Sequence, residues 1–245
     1  MRTLDRKKKS RNPVKTGRPE REYQRSLTQV ARQVGSIING FPLGDPAADP
    51  TITQVLRKYA DLLNDWAIAT AGRMIADVNQ QDRKAWASRS EEMARALGEE
   101  IRNADTGAAM RGLLAEQVTL IKSIPLEAAQ RVHELTLKGI EDGTRAGEIA
   151  KEIQRSGDVA TSRAQLIART EVSRTAATLT EARAKAVGSE GYIWRTAHDG
   201  TVRHSHKEME GKFVRWDSPP TLDKLTGHAG CLPNCRCWPE PVIPE

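Results

Sequence analysis

Three thiols fall within seven residues, Cys231-Leu232-Pro233-Asn234-Cys235-Arg236-Cys237, and they are the only cysteines in a chain of 245 residues. His228 stands just before them, and His204 and His206 lie upstream. Thiolate and imidazole are ligands that zinc favours, and structural zinc takes four of them in a tetrahedron. Cys231, Cys235 and Cys237 with one of these histidines meet that count. The spacing Cys-x3-Cys-x-Cys is not the common Cys-x2-Cys knuckle. The plainer alternative is three reduced thiols packed in a small β-core, where cysteine acts as a small hydrophobe.

A second cluster is His198-Asp199-Gly200-Thr201-Val202-Arg203-His204-Ser205-His206. A histidine–aspartate group of this kind suits a metal-dependent nuclease or a general base. The alternative is structural: Asp199 caps a short helix starting near Thr201, with the histidines exposed. No glycine-rich phosphate loop and no serine on an elbow motif accompany it. Arg169-Thr170-Glu171 is a third candidate. Arg169 and Glu171 lie two apart, so they do not share a helix face, and each is free to pair with another segment.

A fourth is the amino-terminal arm. Residues 1–20 hold eight basic side chains, Arg6, Lys7, Lys8, Lys9 and Arg11 among them, against two acidic ones. The arm thus carries the whole formal net charge of +6, and the rest balances to zero. Such an arm binds phosphates by counterion release, without sequence preference. It suits an acidic protein surface equally well. No aromatic interleaves the run, so base stacking is not indicated.

The elements that must position these groups follow from composition. None of the ten aromatics lies between Ala87 and Gly191, and Pro125 is the only proline between Thr51 and Ser218. That middle is rich in Ala, Glu, Arg, Leu and Gln, which favour helix. Helices are predicted over about 21–38, from Thr51 or Thr53 onward (Ile52, Val55, Leu56, Tyr59, Leu62, Leu63, Trp66), around Trp86, Met93, Leu97 and Ile101, and over Met110 to Ile121. Another should start at Pro125, whose missing N–H is costless in a first turn. A short one should hold Ile149 and Ile153, and a last should run over about 160–187, after Gly157. The period then changes. Tyr192–Thr196 and Lys212–Trp216 read as strands, Val202–Glu210 as a short helix stopped by Gly211, and Pro219-Pro220 as a loop. Cys235–Val242 reads as an edge strand, because Pro239 and Pro241 exclude a central place.

The expected fold is α+β, mostly α. An elongated helical region at 21–157 follows a flexible basic tail at 1–20, and a small α+β subdomain with a short antiparallel sheet occupies 158–245. No apolar run approaches the length of a membrane span, and no apolar stretch follows the charged start as in a secretory signal. Three clustered cysteines are not a disulfide framework, so a reducing compartment is expected.

Trp194-x-Thr196-x2-Asp199-x2-Val202-Arg203-x2-His206-x2-Met209-x-Gly211, then Pro219-Pro220, then Asn234-Cys235-Arg236-Cys237, resembles the phage Mu protein F-like family of minor head, or head-morphogenesis, proteins. Ile167-Ala168-Arg169-Thr170-Glu171 with its Ala-rich continuation also resembles that pattern. The resemblance covers about residues 160–242. It implies a virion component that docks at the portal vertex and assists procapsid assembly, present in the host cytoplasm meanwhile. Its partners would be portal, capsid or scaffold proteins, with DNA contacted through the arm and no membrane involved. It marks Asp199, Arg203, His206, Cys235 and Cys237 as characteristic positions, with Arg169 and Glu171 upstream, and makes His206 the preferred fourth zinc ligand. Some family domains carry toxin or enzyme modules; the end of this sequence at Glu245 leads to the expectation of none here. The expected protein is therefore not an enzyme. The competing reading is a metal-dependent enzyme acting on nucleic acid through the His/Asp/Cys cluster.

Overall fold

A computed structural model describes residues 11–42, 45–90 and 106–244. It is a mostly helical α+β fold, as the composition led us to expect. In chain order it has α1 (Gly17–Asn39), a 3₁₀ turn (Pro46–Ala48), α2 (Asp49–Leu62), α3 (Asn64–Ser90), α4 (Thr106–Glu141), α5 (Ala146–Ala186), β1 (Gly191–Arg195), the one-turn α6 (His204–Lys207), β2 (Phe213–Arg215), β3 (Thr221–Leu222), β4 (Leu225–Thr226) and β5 (Trp238–Val242). Met93, Leu97 and Ile101, and the arm residues Arg6, Lys7, Lys8 and Lys9, lie outside the described residues.

Several predicted breaks are absent. α2 begins at Asp49, with Pro50 in its first turn, where proline costs no hydrogen bond. The long helix expected from Thr51 through Trp66 divides at Leu63, and Leu62 points outward, 81% exposed. Pro125 lies inside α4 rather than at a start. It is buried beside Ile124 and Ala128, and packing there offsets the lost backbone bond. Gly157 likewise sits inside α5. A Cβ built on Gly157 would lie 3.2 Å from the Cα of Gly35 on α1. The glycine marks a close helix crossing, not a helix end.

The chain forms two compact units, each assembled from separated segments. One comprises Arg21–Gly72 and Leu114–Ala168. Its core is aliphatic, with Leu27, Val34, Ile38, Ile52, Leu56, Ile121, Ile124 and Val132 fully buried. The Tyr23 hydroxyl donates to Gln117 Oε1 at 2.8 Å, and His133 Nδ1 is 2.9 Å from Asp49 Oδ2. The other comprises Met1–Glu20, Arg73–Leu113 and Arg169–Glu245. The expected boundary at 157 thus falls within a helix. The boundary at 20 falls within α1, because that helix starts at Gly17. Within the expected tail Val14 and Pro19 are buried, while Arg11, Asn12, Lys15 and Arg18 stay exposed.

In this second unit a three-stranded antiparallel sheet has the order β2-β1-β5. Tyr192 pairs with Val214 on one side and Pro241 on the other, and Trp194 pairs with Pro239. β5 is the edge strand the prolines predicted. Alternation along β1 sends Tyr192 and Trp194 to one buried face. They join Trp86, Val214, Trp216, Leu232 and Ile243 in a single core cluster. Tyr192 and Trp216 lie 4.5 Å apart between ring centroids. Asp82 of α3 is fully buried against α5. It accepts from Thr180 at 2.6 Å and pairs with the guanidinium of Arg183, which also donates to Asn79 Oδ1 at 2.6 Å. A hairpin, β3–β4, replaces the loop expected after Pro220. Asp223 and Lys224 both take positive φ at its tip, 51° and 68°, without the glycine that usually announces such a turn.

Candidate metal centre

Asp199 nucleates the site. Its Oδ1 accepts from the Thr201 backbone N–H at 3.0 Å and the Thr201 hydroxyl at 2.8 Å. These bonds close the turn that leads into α6, which presents His206 inward, and they hold the Asp199 carboxyl below the usual range. The Asp199 Oδ2 meets the Arg236 guanidinium at 2.6 Å, and Arg236 also bonds the Thr201 hydroxyl. Arg203 donates to the Pro233 carbonyl at 2.7 Å. The Asn234 N–H donates to Thr170 Oγ1 at 3.1 Å, with Asn234 in the left-handed region at φ 56°. The segment 231–237 is therefore pinned at Pro233, Asn234 and Arg236, by groups from two other stretches of chain.

Pinned in this way, the segment carries Cys235 and Cys237 to His206. His206 Nδ1 lies 3.5 Å from Cys235 Sγ and 3.6 Å from Cys237 Sγ, and the three donor atoms lie within 4.8 Å of one another. All three residues are buried, at 2%, 3% and 3% exposure. Zinc bonds of about 2.3 Å to sulfur and 2.0–2.1 Å to nitrogen, at a tetrahedral angle, put N and S roughly 3.5 Å apart. The donor set and its spacing fit zinc. The Nε2 of His206 is buried with no hydrogen-bond partner among the described residues, and its ring stands edge-on to Trp194, 5.6 Å between centroids.

The two thiols are electrostatically distinct. A hydrogen bond from Cys237 pulls the Cys235 thiol down to about 6 against the effect of burial. The backbone N–H groups of Gly230 and Cys237 and the nearby His206 add to that pull. The same bond, and burial, push Cys237 well up. The bond between them thus favours ionisation at Cys235 over Cys237.

Other predicted residues fall elsewhere. Cys231 does not join the cluster, which corrects the four-ligand set of Cys231, Cys235, Cys237 and His206. Burial pushes its thiol up to about 12. Its backbone N–H closes a turn on the His228 carbonyl at 3.0 Å, and the three-residue spacer then separates it from Cys235. His204 is exposed beside Glu208. His198 faces Glu210 at 3.6 Å. His228 packs on Tyr192 and Trp216. Arg169 pairs with Glu20 at 3.6 Å, and the buried Glu171 lies 3.8 Å from Arg174. Between them Thr170, not singled out from the sequence, makes the contact to the 231–237 segment. Glu210 was also missed. Burial opposes its ionisation, but bonds from the Thr196 N–H (2.6 Å) and hydroxyl (2.7 Å) hold it ionised below the usual range. It shares Arg195 with the buried Glu240. Nothing in local sequence spacing announces this bracing of β1.

Residues 130–239 match the family model described as Phage Mu protein F like protein. This segment is similar to that family. The match starts about thirty residues before the resemblance quoted above and includes His206, Cys235 and Cys237. An uncharacterised protein of Haemophilus influenzae is 34% identical over 134 residues, 55% of this chain and 29% of that protein. A protein of Enterococcus faecalis named NAD(+)--arginine ADP-ribosyltransferase EFV is 31% identical over 128 residues, 48% of this chain and 26% of its own length. The matched region thus spans less than a third of either relative. No solved structure matches the chain. Among the described residues, no helix is long and apolar enough to cross a membrane.

Proposed function

We propose that this protein is a minor head component of a tailed phage or prophage, and that its zinc-stiffened subdomain docks without performing a reaction. The observation that carries the reading is the family match over residues 130–239, which includes the pinned segment. The site's chemistry supports it. General acid–base work needs a carboxylate or imidazole within reach of a reacting proton. Here Asp199 caps a turn and ties Arg236, Arg203 holds a carbonyl, and His206 faces two thiols. These polar groups hold shape.

On this reading the protein docks at the portal vertex with portal, capsid or scaffold partners, assists procapsid assembly in the host cytoplasm, and stays in the virion. The basic arm contacts DNA. Its signature is a log–log salt slope of about −0.9 per phosphate contact, flattened when residues 1–20 are removed. ADP-ribosyl transfer is not carried over, because the match covers 26% of the relative bearing that name.

The test is assembly. Heads purified from cells producing the wild-type chain should contain it, with one zinc per chain. Cells lacking the protein should give few or malformed heads. Normal heads in its absence would sink the proposal. The competing reading, a metal-dependent enzyme acting on nucleic acid, draws on a cavity of about 250 Å³ beside the cluster. It requires divalent-metal-dependent cleavage that His206→Ala or Asp199→Ala abolishes while the fold persists.

A further inference from the structure

His206, Cys235 and Cys237 all line one cavity of about 250 Å³, and the rest of its wall is Thr201, Val202, Arg203, Asn234 and Arg236. The protein thus gathers three soft donors where a closed structural zinc site needs four. Cys231, the one remaining thiol, is not among them. Beside the donors stand two guanidiniums. The charge of Arg236 is matched by Asp199, whereas Arg203 is bonded to a neutral carbonyl. Zinc with two thiolates and a neutral imidazole would itself be uncharged, and among the described residues lining the cavity no carboxylate matches Arg203. From this geometry, and resting on the metal centre proposed above, we infer that the site is open. The fourth zinc ligand is a small carboxylate from solution, held in the cavity by Arg203.

Arginine suits the role because its planar fork matches a carboxylate, and hydrogen bonds between charged partners are the strong ones. Binding exchanges a metal-bound water for a carboxylate oxygen, with no bond broken in the protein. The charge of Arg203 selects a monoanion over a neutral donor.

The experiment loads the full-length chain with Co(II), whose visible bands report coordination number and ligand type, and titrates acetate in a non-coordinating buffer. The expected result is a saturable change in those bands. Arg203→Ala should weaken the apparent affinity for acetate by about tenfold, the loss of one charge-assisted hydrogen bond. Arg203→Lys, which keeps the charge and loses the fork, should fall between. Because Arg203 also holds the Pro233 carbonyl, each variant must show the wild-type Co(II) affinity and acetate-free bands, which establish that His206, Cys235 and Cys237 are still presented as before. Bands that do not respond to acetate in a Co(II)-loaded protein would overturn the open site while leaving the metal centre standing. Loss of the metal in Cys231→Ser would overturn it too, by showing a fourth protein ligand. Failure of the wild-type chain to take up either Co(II) or zinc would overturn both readings together.

Discussion

The two compact units solve the same problem with different chemistry. The unit of Arg21–Gly72 and Leu114–Ala168 packs aliphatic stripes of long helices. Its contacts are largely non-directional, and a glycine pair lets two helices approach. The unit that holds the sheet joins helical segments to short strands and long loops. It relies on directional bonds: Asp82 to Arg183 between two helices, and Glu210 to Thr196, Asp199 to Arg236 and Thr170 to Asn234 around its strands and loops. Helices of forty residues tolerate loose specification because each turn repeats the one before. A loop such as 231–237 has no repeat and needs a separate partner for nearly every residue.

Perturbations should separate the two designs. The largest effect is expected from removing the zinc proposed for the cluster of His206, Cys235 and Cys237. Cys235→Ser, or chelation of the wild-type chain, should release zinc and lower stability by about 5 kcal/mol or more, given that structural zinc supplies on the order of 10 kcal/mol to small zinc domains. Elemental analysis and thermal unfolding read both. Unchanged melting on chelation would place the rigidity of the subdomain in its protein bonds alone.

Next is Asp82→Ala, which leaves the Arg183 guanidinium buried without its counter-charge and should cost about 3–5 kcal/mol in chemical denaturation. Burial already lowers the pKa of Arg183, and Asp82 opposes that shift. The double change Asp82→Leu with Arg183→Met should recover most of the loss, since an apolar pair of similar volume needs no desolvation. In the helical unit, Gly157→Leu should cost about 1–3 kcal/mol by forcing α1 and α5 apart. A neutral result would mean that the close crossing is not maintained in solution.

The smallest effect is a pH dependence. Burial lowers the pKa of His228, with Lys185 acting the same way and Glu181 opposing. The folded state therefore binds its proton more weakly than the unfolded one. The His228 contribution is complete above the unfolded value of about 6.5 and declines as pH falls toward the lower folded value. His228→Phe should flatten stability against pH in that window. An unchanged slope would assign the dependence to other groups.

Much of the sheet was legible in the sequence. Tyr192, Trp194, Phe213 and Trp216 announced strands, and Pro239 and Pro241 announced an edge. The sequence also singled out the three residues that the structure brings together, His206, Cys235 and Cys237. The helix ends at Pro125 and Gly157 were misread because local propensity is a weak signal that packing overrides. The β3–β4 hairpin was missed because Asp223-Lys224 adopts positive φ without a glycine to mark it. Asp82 and Arg183 stand 101 residues apart, and no periodicity links them. The family-like run Arg169-Thr170-Glu171 drew attention to its two charges, yet its hydroxyl makes the bond to Asn234.

The prolines of β5 have one more consequence. Their nitrogens carry no hydrogen, so the outer margin of the sheet cannot donate at those positions to a strand from another molecule. At the opposite margin β2 is three residues long. Among the described residues, neither margin of this sheet is therefore a long, fully bonding edge for a second strand to extend.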